Sequence, residues 1–97
     1  MHQTIVQAIR DKRVLEIHYH GYSRIVEPHT FGATKKNRDA IRGYQTAGGS
    51  VSGESPGWKL LCLDEIVSLR VLDNQFEMPR QGYKRGDAGM IRIYEEI

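Results

Sequence analysis

Glu16, His18 and His20 stand two residues apart on one short run, and on an extended chain residues at i, i+2 and i+4 project to the same side. Imidazole and carboxylate groups are ligands for first-row metals, and His29 would complete a four-ligand set. The competing reading is a solvated strand face, which carries histidines with no metal at all. That reading takes precedence, and neither a metal nor a cofactor is assigned.

Cations interleaved with aromatics form the stronger chemical signal. Arg24, Lys35, Lys36, Arg38, Arg42 and Tyr44 fall along adjoining extended runs, and Arg80, Tyr83, Lys84 and Arg85 follow in the tail. Guanidinium and ammonium groups hold phosphates while aromatic rings stack on bases, the combination that small open barrels use on single-stranded nucleic acid. With 14 Lys+Arg against 12 Asp+Glu the formal charge is +2. Such a balance permits an anionic partner without demanding one, and solvated loop charges are the equally simple alternative.

Nucleophilic catalysis has less behind it. Ser50, Ser52 and Ser55 sit in a glycine-rich run with no strand–turn–helix elbow, and Gly48-Gly49-Ser50-Val51-Ser52-Gly53 lacks the Lys-Ser/Thr that completes a phosphate loop. Asp64-Glu65 and Glu95-Glu96 read as surface corners or ends, not as an acid–base pair. The chain therefore reads as non-catalytic. The lone Cys62 excludes an intrachain disulfide and a Cys-based zinc cluster. Set among Leu60, Leu61 and Leu63, it reads as an inert buried thiol of a reducing cytoplasm. His2, Gln3, Gln7 and Arg10 break up any signal peptide, and no run approaches the roughly 20 apolar residues of a membrane span.

The elements that must position these groups follow from periodicity. Ile5, Ala8 and Ile9 fall at helical spacing over residues 3–12, with Thr4 placed to cap. From Arg13 to His20 the period becomes two, which puts Leu15, Ile17 and Tyr19 on the core face and Val14, Glu16, His18 and His20 on the other. A tight turn at Gly21-Tyr22 returns the chain into a strand over residues 23–31, where Pro28 ends the ladder because it has no N–H to donate. Residues 32–39 read as a polar loop and 40–45 as a strand on which Arg42 and Tyr44 share a face. Thr46 to Gly57 is a long hairpin loop, 58–63 and 66–72 are strands, and Asp64-Glu65 is a corner. In the tail, Phe76, Met78 and Pro79 read as chain crossing the sheet. Asp87 is placed to cap a last helix with Met90, Ile93, Tyr94 and Ile97 as its apolar stripe. The whole predicts a mainly β fold, a small antiparallel barrel with one helix before it and one after it. That last helix packs on its own barrel or on a second subunit.

The helix ending in Ala8-Ile9-Arg10, the strand Leu15-Glu16-Ile17-His18-Tyr19, the run Arg24-Ile25-Val26-Glu27-Pro28-His29 and the later Leu63-Asp64-Glu65-Ile66 together resemble the bacterial WYL domain family. The resemblance covers about Ile5 to Phe76, with residues 1–76 as the domain and 77–97 as an extension beyond it. Where the family has Trp-Tyr-Leu, this chain has Asp39-Ala40-Ile41, with Tyr44 and Trp58 as nearby aromatics. Cys62 and Glu65 stand where the family often has arginines, and Lys59 is the closest cation. The resemblance implies an SH3- or Sm-like barrel that recognises nucleic acid or a small, nucleotide-like anion in transcription-related regulation. Its usual partner, a helix-turn-helix, has no room in these residues.

Tyr19, Arg24 and His29 are the positions carried over from the family. With Lys35, Lys36, Arg38, Arg42 and Tyr44 they form the expected binding surface. The expected setting is cytoplasmic with no membrane contact. The alternative is an interaction or oligomerisation module, homodimeric or docked on a regulatory protein, that uses Trp58, Tyr83 and the terminal helix.

Overall fold

The computed structural model describes residues 1–54 and 56–97; Ser55, one of the loop serines considered above, lies outside the described residues. The elements run α1 (His2–Arg10), β1 (Arg13–Tyr19), β2 (Tyr22–Thr34), β3 (Asp39–Gly48), β4 (Gly57–Cys62), a 3₁₀ turn at Leu63–Glu65, β5 (Ile66–Gln75) and β6 (Met90–Glu96). All five strand pairings are antiparallel. The order is β4-β3-β2-β1-β5, with β6 attached to β2. The mainly β expectation holds, but among the described residues the sheet is not closed: β4 and β5 end the path without pairing to each other. No helix among the described residues is long and apolar enough to cross a membrane.

The core sits on the inner face. Leu15 and Ile17 of β1 are fully buried and Tyr19 nearly so, as the alternation requires, and they meet Val26, Phe31, Ile41 and Leu61 from β2, β3 and β4. Helix α1 covers them with Ile5, Val6, Ala8 and Ile9. Burying a side chain of this kind contributes roughly 1.5–3 kcal/mol. The helix starts earlier than its pattern suggested, with Met1 at the N-cap and Thr4 inside the first turn. It stops where Lys12 adopts φ +52, a left-handed residue that ends a helix.

Two corrections along β1 and β2 share a backbone cause. The first hairpin turns on His20-Gly21, not on Gly21-Tyr22: both residues have positive φ, +50 and +81, as a tight two-residue turn of the primed type needs, and Tyr19 pairs with Tyr22. Strand β2 then runs through Pro28 to Thr34, because the register shifts between Pro28 and Thr30 and His29 takes up the extra residue. A bulge is where a sheet tolerates proline. Gly32 and Ala33, read as loop, are buried strand residues.

The largest correction is at the end of the chain, where residues 90–96 form a strand and not a helix. Strand β1 pairs with β2 only over Tyr22–Val26. That leaves one edge of residues 30–34 of β2 without a partner, and β6 fills it. The close approach depends on Gly32, since a Cβ there would fall on the Arg92 carbonyl oxygen. Ile91, Ile93 and Tyr94 suit a pleated surface, and an available edge outweighs a short helical stripe. The extension is thus woven into the sheet.

Candidate functional site

The structure divides the eight expected binding residues among four places. Lys35 and Lys36 are exposed at the tip between β2 and β3. Arg38 lies beside that tip, where Glu65 and Asp64 both accept from its guanidinium at 2.6 Å and push its pKa upward. Those bonds also draw in the 3₁₀ turn, and His20 reaches the same Glu65 carboxylate. Arg38 is therefore engaged in holding the corner, while Lys35 and Lys36 have no ion pair among the described residues.

Arg42 and Tyr44 do share a face, the outer one. Arg42 Nε donates to Asp87 Oδ2 at 2.8 Å. Burial raises the Asp87 pKa, but the hydrogen bonds from Arg42 and from the Gly89 N–H overcome this and hold the carboxyl below its usual range. Tyr44 meets Trp58 edge-on at 5.5 Å, and the Arg80 guanidinium sits 4.8 Å above the Tyr44 ring. So the tail does reach the outer face, and it does so as irregular chain over residues 76–89. It packs Phe76, Arg80 and Tyr83 onto Glu27, His29, Tyr44 and Trp58.

His29 is the centre of that outer cluster and is fully buried. The backbone N–H of Arg80 donates to Nε2 at 3.0 Å, so the ring proton must sit on Nδ1, which donates to the Glu27 carbonyl at 2.8 Å. Burial pushes the imidazole pKa down, against the opposite pull of the Glu27 carbonyl. With both nitrogens committed, His29 is an architectural residue and has no nitrogen left for a ligand or a substrate proton.

Tyr19 and Arg24 occupy the fourth place, at one end of the inner face. Tyr19 accepts the Cys62 N–H on its hydroxyl at 3.1 Å, tying β1 to β4; Cys62 is half-buried, not fully enclosed as expected. Arg24 is 4% exposed and lies opposite Ile17. Its Nε donates to the Tyr19 carbonyl at 3.3 Å and its Nη1 to Gln45 Oε1 at 3.5 Å, both longer than the usual range of about 2.7–3.2 Å. The rings of Tyr19 and Tyr22 flank the guanidinium at 5.2 and 6.0 Å. Arg10, Arg13, Arg38, Arg42, Arg70, Arg80 and Arg85 all have carboxylate partners. Among the described residues no carboxylate pairs with Arg24. A charge this deep is costly without a counter-charge.

The metal set does not assemble. Glu16 binds Arg70, His20 turns away to Glu65 and His29 lies in the outer cluster. No group of three or more candidate ligands that could hold a metal ion occurs among the described residues. Tyr22, Gln45 and Asp87 also contact the expected binding residues Arg24 and Arg42, and periodicity did not single them out. Gln45 was within reach of it, because Ile41, Gly43 and Gln45 alternate onto the core face, so a fully buried amide there needs polar company. Tyr22 and Asp87 carry no such signal: by sequence one reads as turn and the other as a helix cap.

No protein-family model, no curated protein and no solved structure matches this chain.

Proposed function

We propose that this chain is a non-catalytic binding module of the WYL type, which recognises nucleic acid or a small, nucleotide-like anion through Arg24. The observation that carries the reading is the buried guanidinium with no carboxylate partner among the described residues. An anion arriving at Arg24 supplies the counter-charge that no carboxylate among the described residues provides, and a phosphate accepts the two parallel bonds that a guanidinium offers. Tyr22, 42% exposed, has its ring 6.0 Å from that guanidinium, and an exposed ring beside a cation supports stacking on a base. Lys35 and Lys36 add long-range attraction and no specificity. The resemblance carries the rest of the reading: a cytoplasmic role in transcription-related regulation, with the open sheet in place of the family's barrel.

Binding of a labelled short single strand and of a mononucleotide tests this, measured at low and moderate salt. Arg24→Met is expected to abolish the interaction at both, while Lys36→Ala weakens it only as a screened surface charge would. Equal binding by the Arg24→Met protein would sink the proposal.

One observation favours a second reading, self-association. Among the described residues β5 pairs with β1 alone, and Val67 on it is 75% exposed; such an edge pairs readily with a second copy. A solution mass equal to one chain at high concentration rules this out. Trp58 and Tyr83, the other contact expected of such a module, lie with ring centroids 6.4 Å apart on the outer face, away from this edge.

A further inference from the structure

The outer face carries a cleft that the Arg24 reading leaves unused. Arg42, Trp58, Gly82, Tyr83, Lys84 and Asp87 line a space of about 280 Å³, close to the lower end of ligand-sized pockets at roughly 300 Å³. Its walls are the rings of Trp58 and Tyr83, inclined by 25° with centroids 6.4 Å apart. A third ring in contact with both needs about 7 Å, so a small widening admits one. The buried His29 ring braces both, 4.7 Å from Trp58 and 5.2 Å from Tyr83.

The polar atoms of both walls are already satisfied. Trp58 Nε1–H donates to the Gln81 carbonyl at 3.0 Å and the Tyr83 hydroxyl to the Ile97 carbonyl at 2.9 Å. What the walls offer a ligand is therefore their faces, fixed in advance. The rim offers charge. Asp87 is spent on Nε and Nη2 of Arg42, which leaves Nη1 outside that pair, and Lys84 is exposed with no ion pair among the described residues. Flat apolar walls beside a net positive rim suit a planar ring that carries an anion, and they disfavour a cationic or purely aliphatic guest.

We propose that this cleft binds a nucleotide, with the base against Trp58 and Tyr83 and the phosphate on Lys84 and the outer edge of Arg42. It is separate from Arg24: Gln45, which contacts Arg24, and Arg42 lie at alternating positions on β3 and so on opposite faces of the sheet. The base and phosphate come either from a free mononucleotide or from a nucleic-acid strand.

Trp58 is the only tryptophan, so its emission is a probe built into the site. The intact protein is titrated with nucleoside monophosphates, with a short oligothymidylate and with inorganic phosphate. Saturable quenching by the monophosphates identifies the free nucleotide as the source, and quenching by the oligonucleotide alone identifies a strand. Loss of one stacking wall in Tyr83→Leu is expected to weaken binding roughly tenfold. Tyr83→Phe keeps the ring and is expected to bind as the parent does, which controls for damage to the fold. Lys84→Glu, a change at an exposed side chain, is also expected to weaken binding severalfold. Arg24→Met leaves the quenching intact even if it abolishes binding at the other site. The proposal is overturned if no nucleotide or strand gives saturable quenching, if phosphate alone reproduces it, or if Lys84→Glu binds as tightly as the parent.

Discussion

The Arg80 backbone N–H donates to His29 Nε2 at 3.0 Å, and the Arg80 guanidinium grips the Glu27 carboxylate with bonds of 2.7 and 3.1 Å. Since His29 Nδ1–H donates to the carbonyl of that same Glu27, three residues close a circuit that pins the tail to β2. The circuit works only with a neutral imidazole, because a proton on Nε2 would face the Arg80 N–H.

Stability should consequently fall in mild acid. The folded pKa of His29 lies below its unfolded value of about 6.5, so the folded state favours the neutral ring. That contribution is complete above the unfolded pKa and is lost as pH falls through the folded one. Denaturant midpoints compared between pH 8 and pH 5 should drop for the parent. They should drop less for His29→Gln, a side chain that cannot titrate; equal drops would mean that other groups govern the acid limb.

Arg24→Met is expected to stabilise the protein, by about 1–3 kcal/mol, because an apolar chain of similar length replaces a buried charge that has no carboxylate partner among the described residues. Thermal melting with and without an anion measures this. A marked loss of stability would instead make Arg24 a structural residue.

Tyr19→Phe should separate the architectural role of that ring from binding. Removing the hydroxyl deprives the Cys62 N–H of its acceptor, at a cost of about 0.5–1.5 kcal/mol, and leaves the ring face beside Arg24 in place. The melting temperature should fall while anion affinity does not change.

Gly32→Ala tests how β6 is seated. The added methyl meets the Arg92 carbonyl, so β6 must shift, at about 1–3 kcal/mol. Amide exchange over residues 90–96 should quicken far more than exchange in β1. Uniform protection would show that the sheet absorbs the methyl without moving β6.

By itself the sequence determined what depends on neighbours along the chain. Alternation put Leu15, Ile17 and Tyr19 inside and placed Arg42 with Tyr44 outside, and the 3.6-residue pattern of Ile5, Ala8 and Ile9 marked α1. Arg24 enters through the family resemblance, and the fold buries it with no carboxylate partner among the described residues. The remaining features rest on contacts between residues far apart in the chain. The stripe at Met90, Ile93, Tyr94 and Ile97 fits a helix locally, yet the open edge of β2 near Gly32 made residues 90–96 a strand. His20 and His29 share a short stretch of sequence with Glu16, but a left-handed turn sends one to Glu65 and a bulge sends the other under Arg80. Charge counting could not tell Arg24 from Arg38 or Arg42 either, because a guanidinium's availability depends on where carboxylates from residues 64, 65 and 87 arrive. Periodicity fixes which way a side chain points, and the fold alone decides what it meets.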